Sequence, residues 1–433
     1  MRVCVFGLWH LGCVTAACLA DAGHQVVALD PDPERVAQLR LGKPPLFEPG
    51  LAELIAKGVA AGRLRFETNP AVVSDADVLW VTFDTPVDEN DVAQPAIVVD
   101  HVQTLFANFP NGLLVLISSQ LPAGTTRRLA DMAARSGCRN VMFAYSPENL
   151  RLGRAIEVFT NPDRIIVGVE EEAARNKIAV SFGNIANRIE WMGIESAEMT
   201  KHAINAFLAT SVCFMNEVAA ICEHVGANAK DVERGLKTEK RIGPHAYLTP
   251  GGPFAGGTLA RDVTTLNDLG ARSGVSTVLI AAVQESNSRH SSWPMNKLKE
   301  RLGSLKGKQI AILGLTYKAG TSTLRRSSAI ELAQELRAAG AKVVGFDPAV
   351  SELPADLGDS LYLAHSAAEA LANADAAVIA TAWPEFRKLE WPALVSTMRQ
   401  PIIVDAGWFL AEILRSQRSV AYTCVGLPWT TDV

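Results

Sequence analysis

Short apolar runs alternate with small-residue and amphipathic stretches from the first residues onward. Arg2–Phe6 (RVCVF) is apolar after its first residue and predicts a strand buried on both faces. Leu11–Ala22 predicts a close-packed helix ended by Gly23, His24–Asp30 a second strand, and Pro33 the start of another helix. Further strands are expected at Val78–Phe83, Leu113–Ile117 and Val141–Ala144. Continuous apolar strands separated by helices belong to a parallel sheet covered on both sides, the doubly wound α/β pattern.

The pattern restarts late in the chain. Lys308–Gly314 (KQIAILG), Lys342–Asp347 (KVVGFD), Ala376–Thr381 and Ile402–Asp405 predict strands, and Ser327–Ala339 predicts a helix ended by Gly340. The fold class is therefore α/β, with two Rossmann-like parallel-sheet domains related by a weak internal duplication. Between them Glu198–Val225 has no proline or glycine and predicts a helix of about 42 Å at 1.5 Å per residue. Its apolar residues (Ile204, Phe207, Leu208, Val212, Phe214, Val218, Ile221) lie on several sides, so neighbours all round are expected. The polar stretch 284–308 carries the shift into the last domain. The expected domains are 1–190, 191–305 and 306–433.

Composition narrows the class. A chain of 433 residues with 48% hydrophobic and 20% charged residues is a well-packed globular protein of more than one domain. A net charge of −5 without a long basic run argues against a nucleic-acid partner. No apolar run reaches a membrane span, so no membrane partner is expected. Met1 leads almost directly into VCVFG without a leader pattern, so a cytoplasmic location is expected. The seven cysteines (4, 13, 18, 138, 213, 222 and 424) show neither CxxC nor metal spacing; reduced, buried thiols and no metal site are expected.

After the first strand comes Gly7-Leu8-Trp9-His10-Leu11-Gly12, opening a helix. A dinucleotide turn wants glycine at its first, third and sixth places, for the turn, for close approach to pyrophosphate and for helix packing. Gly7 and Gly12 meet the outer two; Trp9 departs from the middle one. Its indole must lean over the pyrophosphate or turn away. Asp30, at the end of the second strand, suits ribose hydroxyls and disfavours a 2′-phosphate, so NAD is the expected cofactor, with Arg35 close by.

The run Arg241–Asp262 (RIGPHAYLTPGGPFAGGTLARD) resembles the active-site loop of the UDP-glucose/GDP-mannose dehydrogenase family, whose members oxidise a nucleotide sugar from alcohol through aldehyde to uronic acid. The resemblance extends along nearly the whole chain. Ser146–Gly153 (SPENLRLG) is similar to the family's (S/N)-P-E-F-L-x-E-G, and Pro162–Gly168 (PDRIIVG) to its P-D-R-I-(V/I)-x-G. Phe83–Pro86 is similar to V-G-T-P, Ser119–Thr125 to S-T-V-P-x-G-T, and Gly314–Lys318 to G-L-(A/S)-F-K. Thr321–Ser328, Thr381–Phe386 and Asp405–Trp408 are similar to T-D-D-x-R-E-S, A-T-E-W-x-E-F and D-x-R-N.

The resemblance implies roles. Glu148 would position or activate water, and Lys201 and Asn205 would stabilise charge on the reacting oxygen. Asp262 would partner the attacking water, while Thr258 stands where the family has its nucleophilic cysteine. Thr85, Ser119 and Arg325 would face the cofactor, with Gly7, Trp9, His10, Leu11, Gly12, Asp30 and Arg35. Leu150, Arg151, Arg241, Tyr247, Gly256, Gly257 and Lys318 would bind the nucleotide sugar, Arg241 reaching from the second subunit of a homodimer built on the central helix. UDP-sugars lead among the substrates, with surface polysaccharide or a glycosylated metabolite as the end product.

Departures from the family pattern gather at the reacting carbon: Thr258 for cysteine, Gln120 for threonine, Leu152 for glutamate. Asp84 replaces a glycine in the cofactor loop, and Gly407 stands where an arginine would be. Loss of the thiol leads to the expectation of NAD-dependent oxidation of a nucleotide sugar that stops after two electrons. Full four-electron 6-dehydrogenation through an aldehyde hydrate is one alternative. A catalytically inactive, nucleotide-sugar- or NAD-binding regulatory homologue is the other.

Overall fold

The structure, a computed structural model, describes residues 1–430 except 87, 89–92, 139, 186, 187, 256, 356 and 359. It divides into two compact units, Met1–Ile204 and Asn205–Val433.

In the first unit β1 (Arg2–Phe6), α1 (His10–Asp21), β2 (Gln25–Leu29), α2 (Pro33–Arg40), α3 (Leu51–Ala60), β3 (Leu64–Glu67) and β4 (Val78–Val81) come first. Then follow α4 (Pro95–Gln103), β5 (Leu114–Ile117), α5 (Thr125–Arg135), β6 (Met142–Tyr145), α6 (Ala155–Thr160), β7 (Ile165–Gly168), α7 (Glu172–Phe182) and β8 (Ile189–Met192). The sheet order is β3-β2-β1-β4-β5-β6-β7-β8, parallel except where β6 meets β7. β1 shows why the strands read as unbroken apolar runs. Val3 and Val5 pack into one core with Trp80 and Leu114, while Cys4 and Phe6 pack into the other with Leu79 and Val115. Period-two alternation places both sets inside because helices cover both faces. Helix α8 (Ile194–Val225) starts in this unit, four residues before the expected Glu198.

The second unit holds the rest of α8, α9 (Ala229–Thr238), α10 (Thr258–Arg272), α11 (Val278–Ser291) and α12 (Trp293–Leu302). Helix α12 falls within the polar 284–308 stretch, and Pro294 is no obstacle because it lies in the first turn. A second sheet follows from β9 (Gln309–Leu313), α13 (Ser328–Ala338), β10 (Lys342–Phe346), β11 (Tyr362–Leu363), α14 (Ala367–Leu371), β12 (Ala376–Ile379), α15 (Trp391–Ser396), β13 (Ile402–Asp405), α16 (Ala411–Leu414) and β14 (Ala421–Cys424). Its order, β11-β10-β9-β12-β13-β14, is wholly parallel and repeats the 3-2-1-4-5-6 order of the first six strands of the other sheet.

The repeat extends to single atoms. Gly7 (φ +101°) and Gly314 (φ +88°) make the same left-handed turn after the first strand of each sheet. The residue after each glycine donates its N–H to a buried carboxylate at the end of the second strand: Leu8 to Asp30 at 2.6 Å, Leu315 to Asp347 at 2.7 Å.

Neighbours do not surround α8 within this chain: Phe207, Phe214 and Ile221 are 71%, 51% and 62% exposed. They recur every seven residues and so form one stripe. Burial within this chain accounts for the apolar residues of the other faces, and the stripe is left bare.

A side chain at Gly314 has no room. Its Cβ would meet Thr381 backbone and side-chain atoms at 2.5–2.7 Å, and its φ is unfavourable for any L-residue. Gly314→Ala is expected to cost roughly 3 kcal/mol, from backbone strain and overpacking together. Chemical denaturation of the variant beside wild type checks this.

Candidate active site

Rossmann crevices open where the strand order reverses, here between β1 and β4. Gly7 turns the chain there because nothing larger fits: a Cβ would lie 2.8 Å from the Phe83 ring. Phe83 is in turn stacked on His101 at 4.5 Å between centroids. Gly12 lets α1 pack against that turn, since a Cβ would meet the Gly7 carbonyl oxygen at 1.9 Å. Trp9 is the N-cap of α1 and offers no side-chain cap to its first N–H groups. The N–H groups of His10, Leu11 and Gly12 thus stand at the positive end of the helix, where an anionic pyrophosphate is stabilised.

Trp9 itself has an ordinary extended backbone, and its indole lies against the Arg35 guanidinium, 5.5 Å from centroid to carbon. The ring thus rests on the side chain that holds Asp30 and is 38% exposed. Arg35 also grips Asp30 with Nη1 at 3.0 Å from both oxygens, and pairs with Asp32 at 3.2 Å. Asp30 is fully buried and further accepts the Asp32 N–H at 2.9 Å. Thr85 donates to the Gln120 carbonyl at 2.6 Å, joining two cofactor loops. Beside it Ser119 is 1% exposed, and among the described residues its hydroxyl has no hydrogen-bond partner. Two glycines that any Cβ would block, open N–H groups at a helix start and an orphaned buried hydroxyl together fit a dinucleotide.

The homologous position in the second sheet does not. Asp347 Oδ2 accepts Leu315 N–H, the Thr316 N–H and hydroxyl at 3.0 Å, and Trp383 Nε1 at 2.9 Å. Where Asp30 faces a guanidinium whose side chain is 28% exposed, Asp347 Oδ2 is saturated by donors of the packed loop and walled by an indole.

Still in the first unit, Lys201 is 7% exposed and its ammonium donates to the Glu148 backbone carbonyl at 2.8 Å, with the Glu148 carboxylate 3.8 Å away. Glu148 also accepts the Leu150 N–H at 2.8 Å, folding the loop back on itself. Three residues before Lys201, Glu198 is fully buried and caps α5, taking the Gly124 and Thr126 N–H groups at 2.6 and 2.9 Å and the Thr126 hydroxyl at 2.7 Å. Burial holds its carboxyl above the usual range, against the pull of those donors. Arg151 and Leu152 are exposed, and Leu150 is half-buried against the apolar core.

In the second unit Asn205 donates its amide to Asp262, which is completely buried. Thr258 is the first residue of α10 and exposed, one turn before Asp262 on the same face. Gly257 is the N-cap, at φ +114°, with Arg326 close enough that a Cβ would lie 3.7 Å from Nη1. Arg326, itself at φ +60°, was not singled out by the sequence; its neighbour Arg325 was, and Arg325 is exposed. Asn216 supports the same loop, accepting the Gly251 N–H at 3.0 Å. Arg241 is exposed and pairs with Glu239, and Tyr247 and Lys318 are exposed too. Gly256 lies outside the described residues. Among the described residues no His, Cys, Asp and Glu cluster could hold a metal ion. The cysteines are free, and burial pushes the thiols of Cys4, Cys13 and Cys18 up to about 12.

Sequence reading missed Glu48 altogether. It sits in a Pro-rich turn with no neighbouring polar pattern, so nothing local marks it. Its buried carboxylate meets His10 Nε2 at 3.0 Å and the N–H groups of Gly153 and Ala155 at 2.8 Å each. Burial disfavours its charge, but the bonds from Gly153, His10 and Ala155 outweigh that and hold its pKa below the ordinary value. A depressed carboxyl stabilises the fold fully above its unfolded pKa of about 4.3 and loses that contribution as pH falls through the folded value. The melting temperature of wild type is therefore expected to exceed that of Glu48→Gln most above pH 5, with the gap closing below pH 4. Thermal melts across pH 3.5–7 measure it.

The comparisons with known proteins agree along the chain. Residues 1–185, 195–289 and 311–412 match the NAD binding, central and UDP binding domains of the UDP-glucose/GDP-mannose dehydrogenase family. The UDP-glucose 6-dehydrogenase of Pseudomonas aeruginosa is 33% identical, over 99% of this chain and 98% of that one. That of Rhizobium meliloti is also 33% identical, over 99% and 100%. Among solved structures, a UDP-glucose dehydrogenase from Pyrobaculum islandicum superposes with a TM-score of 0.86 at 30% identity, covering 98% of both chains. A UDP-D-ManNAc dehydrogenase from Pyrococcus horikoshii gives 0.85 at 25%, covering 98% and 99%. With a dinucleotide turn that fits and full-length relatives of one kind, this chain belongs to the UDP-glucose/GDP-mannose dehydrogenase family and is an NAD-dependent oxidoreductase.

Proposed function

We propose that the chain oxidises a UDP-sugar at a carbinol carbon and stops after one hydride, at the carbonyl. The observation that carries this reading is the exposed Thr258 at the start of α10, where the family resemblance calls for a thiol. Acid formation through a thioester needs a nucleophile that is substantially ionised near neutrality. A thiol, with a pKa of about 8.5, can be; a threonine hydroxyl cannot.

Oxidation of the alcohol needs less. The hydroxyl proton goes to a base and the developing charge on oxygen needs a fixed donor. NAD, when bound, accepts the hydride. Glu148 is the base in this reading, and the Lys201 ammonium, buried and already turned to the Glu148 loop, stabilises the oxygen. Asn205 and Asp262 orient the reacting group. Arg151, Leu150, Tyr247, Gly256, Gly257 and Lys318 receive the nucleotide sugar, and Ser119, Thr85 and Arg325 the cofactor. The functional regions are 1–190 for cofactor, 191–305 for the active-site loop and subunit contact, and 306–433 for the nucleotide, in a cytoplasmic protein.

A homodimer formed on α8 belongs to the same proposal. The exposed Phe207–Phe214–Ile221 stripe supports it, as does the 87% exposure of the Arg241 side chain, which would serve a partner's substrate. Helix α8 is also the one described helix long and apolar enough to cross a membrane. Its Glu198, Lys201, Asn205 and Asn216, all buried in specific bonds, argue for the soluble reading. Glutamate at Phe207 and Phe214 together is expected to shift the light-scattering mass from two chains to one.

A second reading, full oxidation through an aldehyde hydrate, is favoured by one observation: the buried Asn205–Asp262 pair, which suits activation of water. Counting NADH formed per nucleotide sugar consumed, with excess NAD and a panel of sugars, separates the readings. One NADH per sugar is expected. Two would overturn the two-electron reading in favour of the hydrate route, and none across the panel would overturn the activity. Thr258→Cys is expected to move the count from one towards two.

A further inference from the structure

The Glu48 carboxylate joins three segments far apart in sequence. Oε2 meets His10 Nε2 at 3.0 Å and the Gly153 N–H at 2.8 Å, while Oε1 takes the Ala155 N–H at 2.8 Å. The side chain is 1% exposed. The turn that carries it is stiff: the Leu51 N–H bonds the Glu48 carbonyl at 3.1 Å to open α3, and Gly50 (φ +81°) lies against Ile156 of α6.

His10 is the first residue of α1, at the helix end fitted to the pyrophosphate. Gly153 and Ala155 close the loop that carries Glu148 and begin α6. An ionised carboxylate only accepts hydrogen bonds, so His10 Nε2 bears the ring proton in this pair. Charge-assisted bonds of this kind are about twice as strong as neutral ones, and a buried N–H left without its acceptor is costly. Neither the first turn of α1 nor the 148–155 loop can therefore shift without straining the bond that holds the other.

We propose that Glu48 is a positioning residue: it sets the cofactor-binding turn of α1, through His10, against the loop that carries Glu148, through the backbone of 153–155. With 1% of its side chain exposed, it acts through these bonds. Its effect is to make NAD affinity and the order of the Glu148 loop depend on one buried carboxylate. Trp9 gives this coupling a purpose, because the fingerprint lacks its middle glycine and the first turn of α1 carries a bulky neighbour in its place.

The test reads NAD binding by calorimetry and backbone order by hydrogen exchange, with full-length protein and no sugar, so that it stands whatever substrate is turned over. Glu48→Gln is expected to raise the NAD dissociation constant at least fivefold and to speed exchange in the peptide spanning 148–155. His10→Ala is expected to weaken NAD by a similar factor while leaving exchange in that peptide as in wild type, because the bonds to Gly153 and Ala155 remain. His10→Gln, whose amide can donate to the same oxygen, is expected to bind NAD within twofold of wild type. The double variant Glu48→Gln/His10→Ala is expected to be no weaker than the weaker single one. If Glu48→Gln does not fold, the two His10 variants still decide the cofactor arm. NAD affinity within twofold of wild type in both Glu48→Gln and His10→Ala would overturn the proposal. So would equal loss in His10→Ala and His10→Gln, or additive losses in the double variant.

Discussion

Each sheet depends on a buried carboxylate at the end of its second strand. A left-handed glycine turn leaves backbone N–H groups pointing into the crevice between the first and fourth strands, and a donor buried there without an acceptor would cost on the order of 1–3 kcal/mol. Asp30 and Asp347 answer that cost in the same way, at 2.6 and 2.7 Å from the leucine N–H that follows each glycine. What surrounds each carboxylate then decides what its crevice can hold. Arg35, a long side chain 28% exposed, is the cation on Asp30. Trp383 and Thr316, packed in place, fill the space at Asp347. One duplicated device thus carries a guanidinium in the first unit and an indole and a threonine in the second.

Buried carboxylates recur as joints between segments. Glu198 reaches from α8 to the start of α5, and Glu48 from a proline-rich turn to α1 and α6. In each case an acceptor of several bonds is fixed by groups that have nowhere else to bond, which makes the geometry stiff as well as stable. Both joints border loops that the family resemblance assigns to chemistry. Rigid placement of that kind is what proton and hydride transfer require, since reacting atoms must be held within about 3–3.5 Å.

Substitution at the positions that the family resemblance assigns to chemistry leaves the bonds around each of them intact. Thr258 begins its helix without strain, Asp262 keeps Asn205, and Lys201 keeps the Glu148 carbonyl. Trp9 shows the same tolerance at the cofactor end, where an adjacent guanidinium takes up the indole. At Thr258 and Trp9 the replaced side chain is exposed, while the carboxylates of Asp262 and Asp30 nearby are buried, so change at these two positions bears on reactivity more than on folding.

The strands, the helices between them and the two-sheet architecture were legible in the sequence, because period-two and small-residue patterns are local and each apolar run is buried on both faces. Gly7, Gly12 and Asp30 were legible as well, since a turn, a close approach and a strand end each demand one residue type at a fixed spacing. Lys201, Asn205 and Asp262 were marked as candidates by the family resemblance, and each is buried. Tertiary structure alone decided the rest. Glu48, with its partners at 10, 153 and 155, has no local signature, because its function lies in bonds across more than a hundred residues. The nearness of Arg326 to Gly257 comes only with the folding of that loop. The direction of the Trp9 ring, the saturation of Asp347 and the bare stripe on α8 likewise depend on which side chains meet in space. Spacing along a chain fixes what a segment wants to bury; only packing fixes which partner it buries against.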